Sequence, residues 1–250
     1  MSSEEILFNI LSYAIKHNEF SVFHTNYSAC LSIVSQIELF HQACCWDRYN
    51  MLDIMVQRGF NVKDCTMIRV TISHTEDSLQ EIPILFETLT YGSLKALDFL
   101  LSKGFSPDVI HPRNGMSALY YAGVRLGLGN RNDFQFMEML LKYKANVNIQ
   151  NQDGKSPLGA TSLSGKTLLH AFAKSGYRTE YFSMCKRLIE LGADPNIQDS
   201  EGNTALHYVQ PRFENYSIPN NVLSYFKKDE NPIQIDFTLY NKFGVKVCVC

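Results

Sequence analysis

Hydrophobic and polar residues repeat along the chain in a unit of two short helices and a turn. Residues 183–209 read SMCKRLIELGADPNIQDSEGNTALHYV, and residues 136–158 read FMEMLLKYKANVNIQNQDGKSPL. In both segments an amphipathic helix ends at a small residue, a polar turn with Asn and Gly follows, and a new helix begins at a Ser or Thr. The pattern predicts paired helices separated by projecting turns, as in a repeat protein.

These segments resemble the ankyrin repeat, whose pattern runs G-x-TPLH-x-A, a second helix ending LL-x-x-GA, and a turn with Asp or Asn. The strongest similarity lies in residues 202–207 (GNTALH), 165–170 (GKTLLH) and 188–196 (LIELGADPN). The resemblance covers most of the chain from about Ser35 onward. It implies an all-α ankyrin-repeat solenoid of antiparallel helix pairs with β-hairpin fingers.

The repeat spacing divides the chain into an N-terminal segment and five full repeats. Residues 1–34 are predicted to be N-terminal capping helices, and residues 35–250 the ankyrin-repeat domain. The repeats lie near residues 35–64, 81–110, 111–149, 150–197 and 198–236, with a partial C-terminal cap at 237–250. In the first helix, an apolar stripe is predicted to face the next helices and consists of Ile6, Leu7, Ile10, Leu11 and Ala14.

Several segments depart from the repeat pattern. Between Asp64 and Ile82 the chain inserts an enlarged finger, in which residues 67–73 alternate apolar and polar as a hairpin strand does. Residues 127–130 are predicted to be an extra loop. In repeat four, residues 156–158 fit the preceding hairpin, while residues 167–170 fit the following helix, so residues 159–164 are interpreted as loop. A last second helix is expected at residues 221–228 and a further hairpin at 235–250.

Charge and cysteine usage narrow the classes of function. The chain has 23 Lys and Arg against 25 Asp and Glu, without a block of one sign, so nucleic acid is not an expected partner. Its seven cysteines are scattered and include an adjacent pair, which indicates free thiols in a reducing compartment. The N-terminus is acidic, and no apolar run approaches the roughly 18 residues of a membrane span. These features favour a cytoplasmic protein, or a host-cytoplasmic one for a secreted effector.

Two short motifs suggest binding chemistry that their context does not support. Residues 159–167 (GATSLSGKT) place five residues between the glycines, whereas a phosphate-binding loop needs four and a preceding buried strand. No small-molecule cofactor is therefore expected. Cys248 and Cys250 resemble a prenylated C-x-C ending, but no polybasic run accompanies them. Membrane contact is expected only if these two cysteines are lipidated.

The histidines and the cysteine pair are interpreted as structural. His41, His170 and His207 occupy one position in their repeats, where the family uses the imidazole to bond neighbouring backbone. Because they lie one per repeat, they are not expected to converge on a metal ion or a catalytic triad. Cys45 lies one helical turn after His41, but the sequence suggests no third orienting residue, so Cys44 is assigned to the core and Cys45 to the groove lining. No catalytic or metal site is predicted.

The ankyrin register assigns the surface that faces a partner. The exposed positions of each first helix lie two and six residues after the Leu of the TPLH-like start, and we call them the groove positions. They are Gln42, Trp46, Glu87, Tyr91, Tyr121, Arg125, Ala171, Ser175, Tyr208 and Arg212. Trp, Tyr and Arg dominate binding hot spots. The predicted partner-binding residues are therefore Trp46, Tyr91, Tyr121, Arg125, Tyr208 and Arg212.

Three functions fit this surface. The first is a protein-protein interaction scaffold that binds a partner protein through the concave groove and the hairpin tips, without enzymatic activity. The second is an ankyrin-repeat effector of an intracellular pathogen, whose activity lies in a terminal segment or a missing domain. The third is a substrate adaptor for a ubiquitin ligase, although residues 4–13 lack the Leu-Pro start of an F-box.

Overall fold

The part of the chain that the structure describes is helical, with one small sheet. This computed structural model describes residues 2–27, 31–71, 79–112, 115–127, 133–151, 165–175, 179–209 and 235–246. Within these ranges the helices are α1 (Ser3–His17), α2 (Phe20–Asn26), α3 (Ile33–Cys45), α4 (Tyr49–Gln57), α5 (Ile84–Tyr91), α6 (Leu94–Ser102), α7 (Ala118–Gly127), α8 (Asp133–Lys142), α9 (Leu168–Ser175), α10 (Thr179–Glu190) and α11 (Ala205–Val209). The strands are β1 (Met67–Thr71) and β2 (Leu79–Pro83). The predicted all-α solenoid class with a hairpin finger is confirmed.

The chain divides into two compact units. The first comprises residues 1–111 and 132–143, and contains α1 to α6, the sheet and α8. The second comprises residues 112–131 and 144–250, and contains α7 and α9 to α11. No helix in the described ranges is both long and apolar enough to cross a membrane.

The two helices of each pair in the first unit are joined by one left-handed residue. These joints are Asn18, Asp47 and Gly92, with φ values of 61°, 56° and 76°. After each joint, an amide donates to the carbonyl five residues earlier, over 2.8 Å from Glu19 to Ala14, 2.9 Å from Arg48 to Ala43 and 2.8 Å from Ser93 to Thr88. The bond satisfies a carbonyl at the end of the first helix and directs the chain into the second. Helices α1 and α2 thus form a pair like the two that follow, a similarity that the sequence pattern did not reveal.

The second helices α4, α6, α8 and α10 are also followed by a left-handed residue. These residues are Gly59, Gly104, Lys144 and Gly192, with φ values of 97°, 88°, 63° and 92°. The following amide again bonds five residues back, as from Phe105 to Leu100 (3.2 Å) and from Ala193 to Leu188 (2.9 Å). The predicted left-handed helix ends at Gly104 and Gly192 are confirmed, and Lys144 occupies the same position in repeat three.

The inserted finger begins as an antiparallel hairpin. Strand β1 pairs with β2 in a register that places Met67 opposite Pro83 and Thr71 opposite Leu79. Ile68 and Ile82 face each other across the ladder and are both buried. Their burial on the core of the first unit explains the alternating pattern that predicted this strand.

Helix α1 packs against α2 and α3 along part of the predicted stripe, since Leu7, Leu11 and Ala14 lie in or against the core. Leu11, Ala14 and Ile15 are fully buried, whereas Ile6 and Ile10 remain 45% and 40% exposed. The prediction that Ile6 and Ile10 face the following helices is therefore wrong. The buried residues of α1 share one core with Phe23 and Phe40 of the following helices. The helical periodicity of α1 alone does not reveal this long-range packing.

In the second unit, polar side chains link successive turns. The Gln150 amide donates to the carbonyl oxygens of Gly165 (2.6 Å) and Gln198 (2.9 Å). Gln198, the equivalent residue one repeat later, donates to Gly202 (2.7 Å) and Tyr240 (3.1 Å). Each glutamine thus ties its own turn to the next. An antiparallel bridge between Tyr240 and Lys246 extends the series at the predicted C-terminal hairpin.

Some predicted features lie outside the described residues. They are most of the loop at 127–130, the alternatives at 156–158 and 159–164, the helix at 221–228, and Arg212, Cys248 and Cys250. The favoured start of repeat four is confirmed, because α9 begins at Leu168, directly after Thr167.

We expect the left-handed helix ends to control stability. A Cβ at Gly192 would meet no atom within 4 Å, so Gly192→Val tests backbone strain alone. We predict a loss of about 1–2 kcal/mol in the free energy of unfolding, since a β-branched residue resists positive φ. Lys144→Gly should change stability in the opposite direction, and Gly192→Asn should cost less than Gly192→Val. Chemical denaturation measures all three, and equal stability of the Val and wild-type proteins would contradict the assigned conformation.

Candidate functional site

Two histidines have the structural role expected of their repeat position. The Thr167 amide and hydroxyl donate to Nδ1 of His170 over 3.1 and 2.8 Å, and Nε2 lies 3.0 Å from the Asn203 carbonyl oxygen. Because Nδ1 accepts the amide proton, Nε2 carries the imidazole hydrogen and donates to Asn203. His207 repeats this arrangement with Thr204 (3.0 Å) and the Val245 carbonyl (3.1 Å). Each ring therefore ties the start of its own helix to the next repeat.

His41 occupies the same repeat position but makes a different contact. Helix α3 begins at Ile33, so Glu38, the counterpart of Thr167 and Thr204, lies inside the helix. The Glu38 amide is used by the helical i to i−4 bond and is unavailable to the imidazole. The Nε2 atom of His41 lies 3.5 Å from Oε2 of Glu87 on α5. The structural role predicted for His41 is therefore wrong, because the longer helix has removed its backbone partner.

His41, Cys45 and Glu87 form a cluster between α3 and α5. The Cys45 thiol lies 3.9 Å from Oε2 of Glu87, and the donor atoms of all three residues are within 4.8 Å of one another. The side chains of His41 and Glu87 are 19% and 10% exposed. Neighbouring first helices thus bring together a nitrogen, a sulfur and an oxygen at a half-buried site.

The electrostatics of this cluster oppose nucleophilic catalysis by Cys45. Burial, followed by the negative charges of Glu87 and Glu38, raises the pKa of the Cys45 thiol to about 12. A thiol with such a pKa is protonated at neutral pH, and the thiolate is the nucleophile. Burial also raises the pKa of Cys44, which lies fully inside the core as predicted. Glu87 supplies a third residue beside the His and Cys, but the set lacks an activated thiol.

Two predicted binding residues flank the cluster. Trp46 follows Cys45 at the end of α3 and is 47% exposed, and Tyr91 ends α5 and is 62% exposed. Burial, then the negative charge of Glu87, raises the pKa of Tyr91. Two large aromatic rings thus lie exposed on adjacent helices.

The remaining predicted binding residues belong to the second unit. Tyr121 and Arg125 are half-buried on α7, where the guanidinium lies 5.8 Å from the centre of the Tyr121 ring. The Tyr208 hydroxyl donates to Oδ2 of buried Asp199 over 2.6 Å. Tyr208 therefore has a structural contact in addition to any role at a surface. Whether these residues bind a partner stays a prediction.

Sequence reasoning placed Glu87 on the groove but did not connect it with His41 and Cys45. The repeat register does indicate that these three residues meet. Cys45 lies four residues after His41, and Glu87 directly follows the corresponding position of the next repeat, Phe86. Since α3 and α5 pack side by side, these offsets bring the three side chains together.

A protein-family model for ankyrin repeats, described as "Ankyrin repeats (3 copies)", matches residues 128–210. This match falls on the segment in which His170, His207 and the glutamine series have the expected repeat geometry. The match and the fold support an ankyrin-repeat protein.

Similar sequences include proteins of a virus and of bacteria. A putative ankyrin repeat protein of Acanthamoeba polyphaga mimivirus is 25% identical over 179 residues, which are 64% of this chain and 22% of that protein. A putative ankyrin repeat protein of Rickettsia felis is 28% identical over 129 residues, 52% of this chain and 46% of that protein. The chain thus spans less than half the length of these ankyrin-repeat relatives.

A solved structure supports the same fold. The ankyrin repeat domain of Bcl-3, described as a unique member of the IkappaB protein family, superposes with a TM-score of 0.56 at 18% identity. The superposition covers 81% of this chain and 78% of that domain. Ankyrin repeats generally act as protein-protein interaction modules and are typically not enzymes.

The buried histidines predict a dependence of stability on pH. Burial lowers the pKa of His170 and His207 in the folded state, against hydrogen bonds to Asn203 and Val245 that raise it. The unfolded chain then binds more protons than the folded one just below the unfolded pKa of about 6.5. Stability is therefore full above that pH, falls as pH drops through 6.5, and stops falling below the folded pKa values.

The measurement is a series of thermal melts between neutral and mildly acidic pH. We expect a His170→Gln, His207→Gln double variant to be less stable at pH 7.5 and to lose less stability on acidification than wild type. The other five histidines are present in both proteins and cancel in this comparison. Parallel pH curves for the two proteins would show that His170 and His207 are not the groups that titrate.

Proposed function

We propose that this ankyrin-repeat protein binds another protein through its groove positions, with Trp46 and Tyr91 as the main contacts. The observation that supports the proposal most directly is the exposure of both rings on the adjacent helices α3 and α5. Tyr and Trp are enriched at binding hot spots because they bury a large rigid area and retain a polar group. Exposed rings on neighbouring repeats also suit an extended contact with a partner.

The backbone beneath both rings is held by hydrogen bonds. The Ser93 hydroxyl donates to the Cys45 carbonyl over 2.8 Å, and the Ala96 amide donates to the Asp47 carboxylate over 2.8 Å. Tyr91 directly precedes the left-handed joint at Gly92. A surface whose backbone is already ordered loses less conformational entropy on binding. This rigidity favours the end of α3 and α5 as a docking platform.

We also propose a scaffold role without catalysis, in the cytoplasm. The raised pKa of Cys45 supports the first point, and the free thiols of Cys44, Cys45, Cys65 and Cys185 support a reducing compartment. The alternative is an effector or ubiquitin-ligase adaptor with its activity in a terminal segment or a missing domain. In that case a partner would still be captured by the repeats, and the activity would require residues outside them.

The test is capture of a partner by wild-type protein and by the Trp46→Ala and Tyr91→Ala variants, followed by titration of the captured protein. We expect each variant to weaken binding by about 2 kcal/mol, roughly thirtyfold, because each removes an exposed anchor ring. Thermal melting should change little, since neither ring belongs to the buried core.

Tyr49→Ala is the matched control. Tyr49 is 45% exposed but begins α4, the second helix of its pair, so it is not a groove position. Its loss should leave the affinity unchanged. If Tyr49→Ala weakens binding as much as Trp46→Ala, or if neither groove variant changes the affinity, the partner docks on another surface.

Tyr208 should behave differently from Trp46 and Tyr91. Tyr208→Phe removes the hydroxyl that donates to the buried Asp199 carboxylate. We predict a loss of about 1–2 kcal/mol in the free energy of unfolding, because a hydrogen bond to a charged group is lost. Urea denaturation of Tyr208→Phe beside Tyr91→Phe provides the comparison, and an unchanged midpoint for both would contradict the structural role of this hydroxyl.

A further inference from the structure

His41, Cys45 and Glu87 offer the three atom types that a transition-metal ion takes from proteins. Oε2 of Glu87 lies 3.5 Å from Nε2 of His41 and 3.9 Å from the Cys45 sulfur, and all three atoms are within 4.8 Å of one another. Zinc bonds of about 2.0–2.3 Å in a tetrahedron require ligand atoms about 3.3–3.8 Å apart. The observed separations reach this range after side-chain movements of about 1 Å or less.

We propose that His41, Cys45 and Glu87 form a binding site for a zinc-class divalent cation. The three residues would supply three ligands, and a water molecule or a side chain of the bound partner would occupy the fourth position. Binding converts the Cys45 thiol to a zinc-bound thiolate and releases one proton to solvent. The proposal is independent of which protein the groove positions bind.

The chemistry of the ligands selects the class of ion. A thiolate and an imidazole are the preferred ligands of zinc and similar transition metals, and a carboxylate completes such sets in many zinc sites. Magnesium and calcium prefer oxygen ligands throughout and do not fit a Cys and His pair. The Glu87 carboxylate brings a negative charge to this half-buried site, which favours a cation.

The backbone holds the ligands in place before any ion binds. His41 and Cys45 lie four residues apart on α3 and therefore share one face of that helix. The Ser93 hydroxyl fixes the Cys45 carbonyl over 2.8 Å, and α3 packs directly against α5, which carries Glu87. Ligands on packed helices need little reorganisation, which lowers the entropic cost of assembling the site.

The repeat pattern explains why this histidine is available as a ligand. At the same position, both ring nitrogens of His170 and of His207 form hydrogen bonds with backbone groups. In repeat one the early start of α3 at Ile33 removes that backbone partner, and the His41 ring faces Glu87 instead. The site therefore belongs to the first two repeats and is not a property shared by all of them.

The experiment uses the full chain, stripped of metal and kept reduced with a phosphine that does not bind metal strongly. Cobalt(II) replaces zinc as a probe, because a cobalt thiolate bond produces an intense near-ultraviolet band and tetrahedral cobalt produces strong visible bands. We expect one equivalent of cobalt to bind with both signals and zinc to displace it. Zinc should also raise the melting temperature, because it binds the folded state.

Three variants test the ligands one at a time. Cys45→Ser should abolish the thiolate band. His41→Gln and Glu87→Gln should each lower the metal affinity at least about tenfold, since mutation of even an outer-shell residue lowers it by that factor. Glu87→Gln is nearly isosteric, so circular dichroism should show that its fold is intact. This variant keeps the test decisive if Cys45→Ser is destabilised.

The matched control addresses the other thiols of the chain. Cys248 and Cys250 form a C-x-C sequence that could bind cobalt by itself. The Cys248→Ser, Cys250→Ser double variant should retain the full signal. The proposal is overturned if no thiolate band appears with wild type, if the band persists in Cys45→Ser, or if it is lost only in the double variant.

Discussion

The left-handed joint within each helix pair is the constraint on which the rest of the structure depends. An isolated pair cannot bury its apolar stripe, so each pair must present that stripe to its neighbours at a fixed angle. Asn18, Asp47 and Gly92 set the angle through the same amide-to-carbonyl bond five residues back. Two of these three residues are not glycine. The joint is thus conserved in geometry within this chain while its residue type varies, because Asn and Asp also tolerate the left-handed region.

The repeated geometry determines which side chains become neighbours on the first helices. Residues at matching offsets lie side by side, so a change in one helix alters the contacts of the next. The early start of α3 is such a change. Because α3 begins at Ile33, the Glu38 amide lies inside the helix and is not available to His41. The ring of His41 contacts Glu87 instead of the start of its own repeat. A local difference in helix length thereby produces a polar cluster that the other described repeats do not have.

The proposed docking surface and the proposed metal site lie together on α3 and α5. Trp46 directly follows Cys45, and Tyr91 lies one helical turn after Glu87, each beside a left-handed joint. In the second unit, by contrast, the hydroxyl of Tyr208 donates a hydrogen bond to Asp199 inside the turn. Large aromatic residues at the groove positions therefore do not have equivalent energetic roles. Hydrogen bonding, and not residue type, distinguishes a ring that is available to a partner from a ring that stabilises the fold.

The sequence by itself determined the repeat class, the hairpin at Met67 and the left-handed ends at Gly104 and Gly192. These features depend on local periodicity and on residues with special backbone freedom, which a sequence displays directly. Only the tertiary structure decided which stripe of α1 is buried, that α1 and α2 form a further pair, and that Glu87 meets His41 and Cys45. These outcomes depend on packing between helices far apart in the chain. A register specifies which positions face each other, but helix ends and core neighbours decide which atoms touch.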